Sequence, residues 1–362
     1  MLAMFLDLSR AFDTISHKIL LEKLSKYGIR GNALNWFKHY LSDRKQFVKY
    51  NQSESTLLDL DMGVPQGSIL GPLLFLIYVN DLHLVATKLT CIQFADDTCF
   101  LYSGKSISTI SSIVNSEMNL VTEWFKNNML TLNPEKSNYM IMSNQGRSIK
   151  FDDCNIVVDK TTITPVREFK FLGVILDDNL TWTSHIKYVC SKVSKLIGIL
   201  VRARKILHRK PLCSLYQTLI KPYFSYSILL WGNSFKTHLQ KLIILQKKIV
   251  RIITNSEFRA HTANLFVEIK IMPLEKLYIY FAGIYLYKCR NKLTPKLFWN
   301  VVLPSVSVRN PFNLVFKAHS KRKSQMSIRY YGPKIWNELP KTVKLSRTLS
   351  TFKFQLKKFL LK

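Results

Sequence analysis

The sequence predicts an α+β fold: an antiparallel sheet with packed helices, followed by a basic helical region and a mixed C-terminal stretch. Three observations predict it. Strand-like apolar runs interleave with amphipathic helical segments over the first 180 residues. A breaker-rich loop, Gly63–Val64–Pro65–Gln66–Gly67–Ser68, divides them. After Asp178 the character changes to long helical stretches carrying many Lys and Arg.

Taken in order, Leu2 to Leu8 reads as a buried strand that contains Asp7, followed by a turn through Ser9–Arg10–Ala11–Phe12–Asp13. His17 to Tyr27 places Ile19, Leu20 and Leu24 at helical spacing and closes on Gly28. Asn32 to Leu41 repeats the pattern with Leu34, Trp36, Phe37 and Leu41. Phe47 to Leu60 reads as two strands around the polar tip Asn51–Gln52–Ser53–Glu54. The breaker loop leads into an apolar helix, Ile69 to Asn80. Leu89–Phe94 and Cys99–Tyr102 flank Asp96–Asp97–Thr98 as a hairpin, and Ile107–Asn128 is an amphipathic helix with Ile110, Ile113, Met118, Val121 and Phe125 inward. Strands follow at Asn138–Met142 and around Phe169–Leu176. Basic helices run from Val189 through Arg209 and from Leu239 through Arg251, with boundaries expected near 180 and 256.

Charge is the unusual quantity. Lys plus Arg total 53 against 23 Asp plus Glu, a formal net charge of +30, and a protein that basic meets a polyanion, nucleic acid or an anionic membrane. The longest apolar run, Ile69 to Val79, is broken by Gly71 and Pro72 and is too short to span a bilayer. There is no lipidation motif and no single cationic amphipathic stripe, which argues against a membrane-surface protein. Six scattered cysteines lack metal-ligand spacing and read as reduced, mostly buried thiols of an intracellular protein, nuclear or cytoplasmic.

Two adjacent carboxylates at a hairpin tip repel unless a cation neutralises them. On its own the Asp96–Asp97 pair also fits an ordinary Asp-rich turn. The ordered blocks decide between these readings. Phe5–Leu6–Asp7–Leu8–Ser9–Arg10–Ala11–Phe12–Asp13, Gly63 to Ser68, and Phe94–Ala95–Asp96–Asp97 resemble, in this order, the reverse transcriptases of non-LTR (LINE-type, jockey-like) retrotransposons. Asn127 to Lys136 and Phe171–Leu172–Gly173–Val174 agree. The C-terminal half has a looser likeness, in Leu215–Tyr216, Tyr226, Trp231 and Tyr331 to Asn337, segments that specify no chemistry.

The resemblance implies a right-hand polymerase palm with partial fingers over 1–180, a helical basic thumb over 181–256, and a C-terminal region of unknown role over 257–362. It implies RNA-directed DNA synthesis on an RNA template and DNA primer, with deoxynucleoside triphosphates as substrates and two Mg²⁺ ions, or Mn²⁺, as cofactors. Asp7 and Asp96 would bind the metals, with Asp97 beside them and the Leu8 carbonyl as a further ligand. The amides of Arg10 and Ala11 would face the triphosphate. Phe12 would be the aromatic gate that leaves no room for a 2′-hydroxyl, or plain core packing. Gln66 and Gly67 would touch the incoming nucleotide, a glycine letting backbone approach the ligand closely. Lys136 would stand near the leaving pyrophosphate as a general acid, or be a solvated surface lysine. Phe171, Leu172 and Gly173 would form the turn gripping the primer end, or a simple hairpin strand. Asp13 belongs to the pattern with a structural role.

The sequence departs from the family at two places. The hairpin tip begins with Phe94 where Tyr is commoner, a change that keeps the ring. The chain starts six residues before Asp7, whereas the family carries an upstream fingers region. A 5′-truncated copy is therefore expected, with an exposed sheet edge or apolar face and weakened nucleotide binding. The alternative function is a catalytically silent nucleic-acid-binding remnant.

Overall fold

The computed structural model describes residues 1–142, 154–301, 312–315 and 325–361, and they form a mixed helical and sheet structure. They divide into two compact units, Met1–Gly173 with Asp178–Leu180, and Val174–Asp177 with Thr181 onward.

The N-terminal unit is built on β1 (Leu2–Leu6), whose five residues are all buried. β2 (Leu8–Ser9) follows, then α1 (His17–Lys26) and α2 (Gly31–Leu41). Ser16 caps α1 through its side chain, and Gly28 takes φ +92 beyond its end. The stretch expected as two strands is four short ones, β3 (Lys45–Gln46), β4 (Lys49–Tyr50), β5 (Ser53–Glu54) and β6 (Leu58–Asp59). β3 pairs with β6 and β4 with β5 around the Asn51–Gln52 tip, and every strand residue is exposed. A hairpin with no buried face breaks easily into short ladders.

Next come α3 (Leu70–Val79), β7 (Thr90–Phe94), β8 (Asp97–Tyr102) and α4 (Ile107–Asn127). α3 is apolar all round, but Leu73 and Leu76 remain exposed while Leu74, Phe75, Tyr78 and Val79 are buried. α4 buries Ile110, Met118, Val121 and Phe125 as expected, with Val114 deeper than Ile113. β9 (Thr131–Leu132), β10 (Asn138–Ile141), β11 (Val157–Val158), β12 (Thr161–Thr162), β13 (Thr164–Pro165) and β14 (Glu168–Phe171) complete the unit.

The main sheet runs β13–β10–β1–β8–β7, with β1 antiparallel to both neighbours and β13 parallel to β10. β1 sits at its centre because both its faces are covered. Leu2, Met4 and Leu6 join the helical core beneath. On the other face the Phe5 ring stacks on Phe169 at 4.1 Å and meets Phe171 at 5.5 Å. β7 is an edge strand that leaves Ile92 and Phe94 exposed. A cation lies inside this unit that apolar periodicity does not reveal. Lys23 is 9% exposed, donates to the Tyr78 carbonyl and to Asp81 at 2.6 and 2.7 Å, and lies over the Tyr78 and Trp124 rings.

The C-terminal unit begins with β15 (Val174–Asp177) and α5 (Thr183–Ala203). The Asp177 carboxylate accepts from the amides of Thr181 and Trp182, capping the entry to α5. α6 (Arg209–Leu215), a π-turn at Tyr216–Ile220, α7 (Lys221–Ser225), α8 (Ile228–Trp231) and α9 (Lys236–Ile253) follow. So do α10 (Ala263–Glu268), α11 (Leu274–Arg290) and helices at Ile328–Glu338, Lys341–Lys344 and Leu349–Leu360. One hydrophobic core joins residues on both sides of position 256, from Ile186 and Trp231 to Trp336 and Phe352. The break expected there does not separate two cores. A buried polar link across it is Gln246, 1% exposed, whose amide donates to the Tyr216 hydroxyl and the Met272 carbonyl and accepts from Leu274 N–H. Among the described residues no helix is long and apolar enough to cross a membrane. All six cysteines are free and at least half-buried.

Gln246→Ala should destabilise the C-terminal unit by about 3 kcal/mol, because it strands a buried N–H and a buried carbonyl. Urea unfolding followed by tryptophan fluorescence reads this directly, since Trp231 and Trp336 lie in that core.

Candidate active site

The register of the central strands decides where the acids stand. β1 pairs with β8 through Leu6 and Thr98, so the next position of each strand brings Asp7 opposite Asp97. β7 pairs with β8 through Phe94 and Asp97, and the chain turns at Ala95 with φ +53. Asp96 therefore occupies the tip beside Asp97. Opposed residues in an antiparallel pair lie roughly 5 Å apart with side chains on one face. Both Asp96 and Asp97 are exposed, and Asp7 is half-buried.

Electrostatics report the same crowding. Burial, then the Asp96 charge, then the Asp7 charge push the Asp97 carboxyl above the usual aspartate range. No Lys or Arg forms an ion pair with Asp7, Asp96 or Asp97 among the described residues. The acids do not converge tightly: no group of three His, Cys, Asp or Glu side chains among the described residues already has metal-holding geometry. Mutual repulsion works against such convergence until a cation enters. The donor set itself, three carboxylates at one strand end without a protein counter-ion, fits a hard divalent ion.

Backbone bonds hold Asp7 in place. Its N–H donates to the Ser137 hydroxyl at 3.2 Å, and its carbonyl accepts from Asn133 N–H at 2.9 Å. β2 pairs with β9 through Leu8 and Leu132. Alternation along an antiparallel ladder then turns the Leu8 carbonyl away from β9. Lys136 lies in the same Asn133–Ser137 turn, exposed, with its N–H bonded to the Asn133 side chain.

The second wall of the site comes from the turn after Asp7. Arg10 adopts φ +51, its carbonyl accepting from Asp13 N–H. Ala11 is buried, and Phe12 is half-buried with its ring stacked on Phe75 at 4.6 Å. The breaker loop is fastened to this turn: Val64 N–H donates to the Phe12 carbonyl, Gly63 N–H to the Ile15 carbonyl, and His17 Nε2 meets the Gly63 carbonyl at 2.7 Å. Gly63 has φ +84, and a Cβ there would come within 2.9 Å of the Asp13 carbonyl oxygen. The loop can lie so close only because that residue is glycine. Gln66 is exposed and donates to the Asp13 carboxylate at 2.8 Å, while Gly67 takes φ +80 in open space.

Asp13 thus fastens Gln66, a partnership that motif spacing does not reveal. Ser137, Asn133 and His17 hold backbone atoms of this site, and a polar residue beside a motif carries no sequence signal for such a role. Phe171 packs on Phe5, two residues before Asp7 on the same strand face, and Leu172 and Gly173 both have positive φ, forming a tight turn.

This geometry accompanies a sequence match of the same segment. Residues 1–176 match the family described as reverse transcriptase (RNA-dependent DNA polymerase). The relatives are non-LTR retrotransposon proteins. The chain is 25% identical over 276 residues to a probable RNA-directed DNA polymerase from transposon X-element of Drosophila melanogaster, covering 74% of this chain and 30% of that protein. It is 27% identical over 281 residues to the RNA-directed DNA polymerase from mobile element jockey of the same organism, covering 75% and 30%. A Pol polyprotein from type-1 retrotransposable element R1 of Bradysia coprophila is 26% identical over 236 residues, 64% of this chain and 23% of that one. The chain spans less than a third of the length of these relatives.

The raised Asp97 carboxyl has a definite sign. The folded state holds that proton more tightly than the unfolded chain, so its contribution to stability is complete below the unfolded value. It is lost as pH rises through the folded value. Asp97→Asn should therefore raise the Tm in EDTA at pH 7 and lose that advantage near pH 3. Added Mg²⁺ should raise the Tm of the unsubstituted protein more than that of the variant. Thermal unfolding across the two pH values, with and without Mg²⁺, tests both statements.

Proposed function

We propose that this chain carries the catalytic part of an RNA-directed DNA polymerase, with residues 1–180 as palm and partial fingers and the basic helices from 181 to 256 as thumb. One observation carries the reading: the β1–β8 register sets Asp7 against Asp97 within the segment that matches the reverse transcriptase family. The reaction is attack of a primer 3′-hydroxyl on the α-phosphate of a deoxynucleoside triphosphate, templated by RNA, with pyrophosphate leaving.

Asp7 and Asp96 would hold two divalent ions, Mg²⁺ or Mn²⁺, with Asp97 and the Leu8 carbonyl completing the set. Bound there, the ions supply charge stabilisation to the attacking and leaving oxygens. The remaining work falls to the chain. The Arg10–Ala11 turn offers amides to the triphosphate. Phe12, braced from behind by Phe75, presents its other face to the sugar and leaves no room for a 2′-hydroxyl. Gln66, held by Asp13, and Gly67 line the approach to the base. Lys136 can deliver a proton towards pyrophosphate from the turn that also anchors Asp7. The Leu172–Gly173 turn, seated over Phe5 through Phe171, positions the primer end. Lys and Arg on the helices after 180 track the duplex backbone without reading sequence. The work would be done inside the cell, in nucleus or cytoplasm, where reduced thiols persist.

Primer extension on a homopolymer RNA template with Mg²⁺ or Mn²⁺ is the direct test. The Asp7→Asn, Asp96→Asn double variant should lose at least about a hundredfold of the activity; extension that persists would remove these residues from the mechanism. Salt-sensitive duplex binding without any extension would leave the binding remnant instead. Phe12→Val should admit ribonucleotides, seen as a fall in the dNTP-over-rNTP ratio with dNTP extension largely kept.

A further inference from the structure

The polymerase reading makes no use of a small pocket in the C-terminal unit, with a volume of about 70 Å³. Four separate pieces of chain build it. Tyr216, Gln217 and Lys221 come from the π-turn and the start of α7, Lys270 from the turn after α10, Tyr280 from α11, and Lys357 from the C-terminal helix. No carboxylate lines it, and none of its three lysines takes part in an ion pair among the described residues.

We infer that this pocket binds a phosphate group, received by Lys221, Lys270 and Lys357 against the tyrosine wall. Three lysines line this one small concavity, Lys221 half-buried and Lys270 and Lys357 exposed, and like charges gathered so close gain stability from an anion that joins them. Burial, then the Lys357 charge, lower the Lys221 ammonium from its ordinary value, as expected where no acid offsets either cost. The frame around them is fixed. Tyr216 is 1% exposed and receives the Gln246 hydrogen bond. Pro222 lacks the N–H that an α-helix would use, and the chain just before it winds as a π-turn, a form frequent at functional sites. Lys270 holds φ +53, a left-handed position after α10 that glycine fills at lowest cost. Charge, concavity and rigid walls together suit a tetrahedral anion such as a phosphate.

The phosphate could be that of a nucleic-acid backbone or free in solution, and two titrations of the full chain separate them. Neither involves divalent metal or a nucleoside triphosphate, so failure of primer extension would leave the inference untouched. Inorganic phosphate is titrated by ³¹P line broadening, and a ten-residue oligothymidylate by fluorescence anisotropy at low salt. The triple variant Lys221→Gln, Lys270→Gln, Lys357→Gln should weaken phosphate binding at least about fivefold. A charge-matched variant outside the pocket and outside the basic helices, Lys18→Gln, Lys38→Gln, Lys105→Gln, should not. If oligothymidylate binding falls with it beyond the charge-matched control, the backbone supplies the phosphate; if only inorganic phosphate binding falls, the ligand is a free phosphate. Loss of binding that is equal in the two triple variants, or no loss in either, overturns the inference. Restoration by Arg at all three pocket positions, with an unchanged melting temperature, separates lost recognition from lost folding.

Discussion

Like charges at one end of a sheet are an expense that folding must offset, and here the register between β1 and β8 imposes it. Once Leu6 faces Thr98, Asp7 has no choice but to face Asp97, with Asp96 at the adjoining tip. Slipping the pairing by one residue would part the acids but turn Leu2, Met4 and Leu6 out of the core. The apolar face of β1 therefore enforces an electrostatic conflict on its end. The Ser137 and Asn133 bonds to the Asp7 backbone, and the Phe169 and Phe171 rings over Phe5, keep that end from fraying under it.

The neighbouring wall depends on the same strand by a different route. The turn after β2 can bring Phe12 and Asp13 under the breaker loop because Gly63 has no side chain to collide with the Asp13 carbonyl. Two backbone bonds and the His17 ring then tie the loop down, leaving Gln66 and Gly67 at the surface. Segments fifty residues apart in sequence thus share one rigid frame with the acids, which is what positioning chemistry requires.

Much of this was legible in the sequence where a periodic or motif signal existed. The split acids, the breaker loop, α1, α3, α4 and the hairpin around Asp96–Asp97 stand where apolar spacing puts them, within a residue or two. What escaped has physical reasons. The expected strand Phe169–Leu176 is interrupted because Leu172 and Gly173 both turn to positive φ, and a leucine gives no warning of that. The Phe47–Leu60 segment carries strand-like apolar residues yet is exposed up to a half-buried Leu60, since composition does not say whether a partner face exists. Lys23 reads as a surface residue of α1, and only the convergence of the Tyr78 carbonyl, Asp81 and two rings makes its burial affordable. The packing that continues across position 256 is a shared apolar core, with a buried amide, Gln246, inside it that is indistinguishable in sequence from a solvated glutamine.

The charge balance brings the two halves of the functional reading together. With 53 basic and 23 acidic side chains, pairing every carboxylate with its own cation would still leave thirty cations over. Yet ion pairs among the described residues hold Glu54, Asp59, Asp81, Glu117, Asp159 and Glu268, a minority of the acids. Asp7, Asp96 and Asp97 share the lack of an ion pair with most other acids among the described residues, but they crowd one another at a strand end. Mutual crowding, rather than the lack of an ion pair, sets these three acids apart, and an entering cation would relieve it. The surplus of thirty cations is of the sign that suits a polyanionic partner.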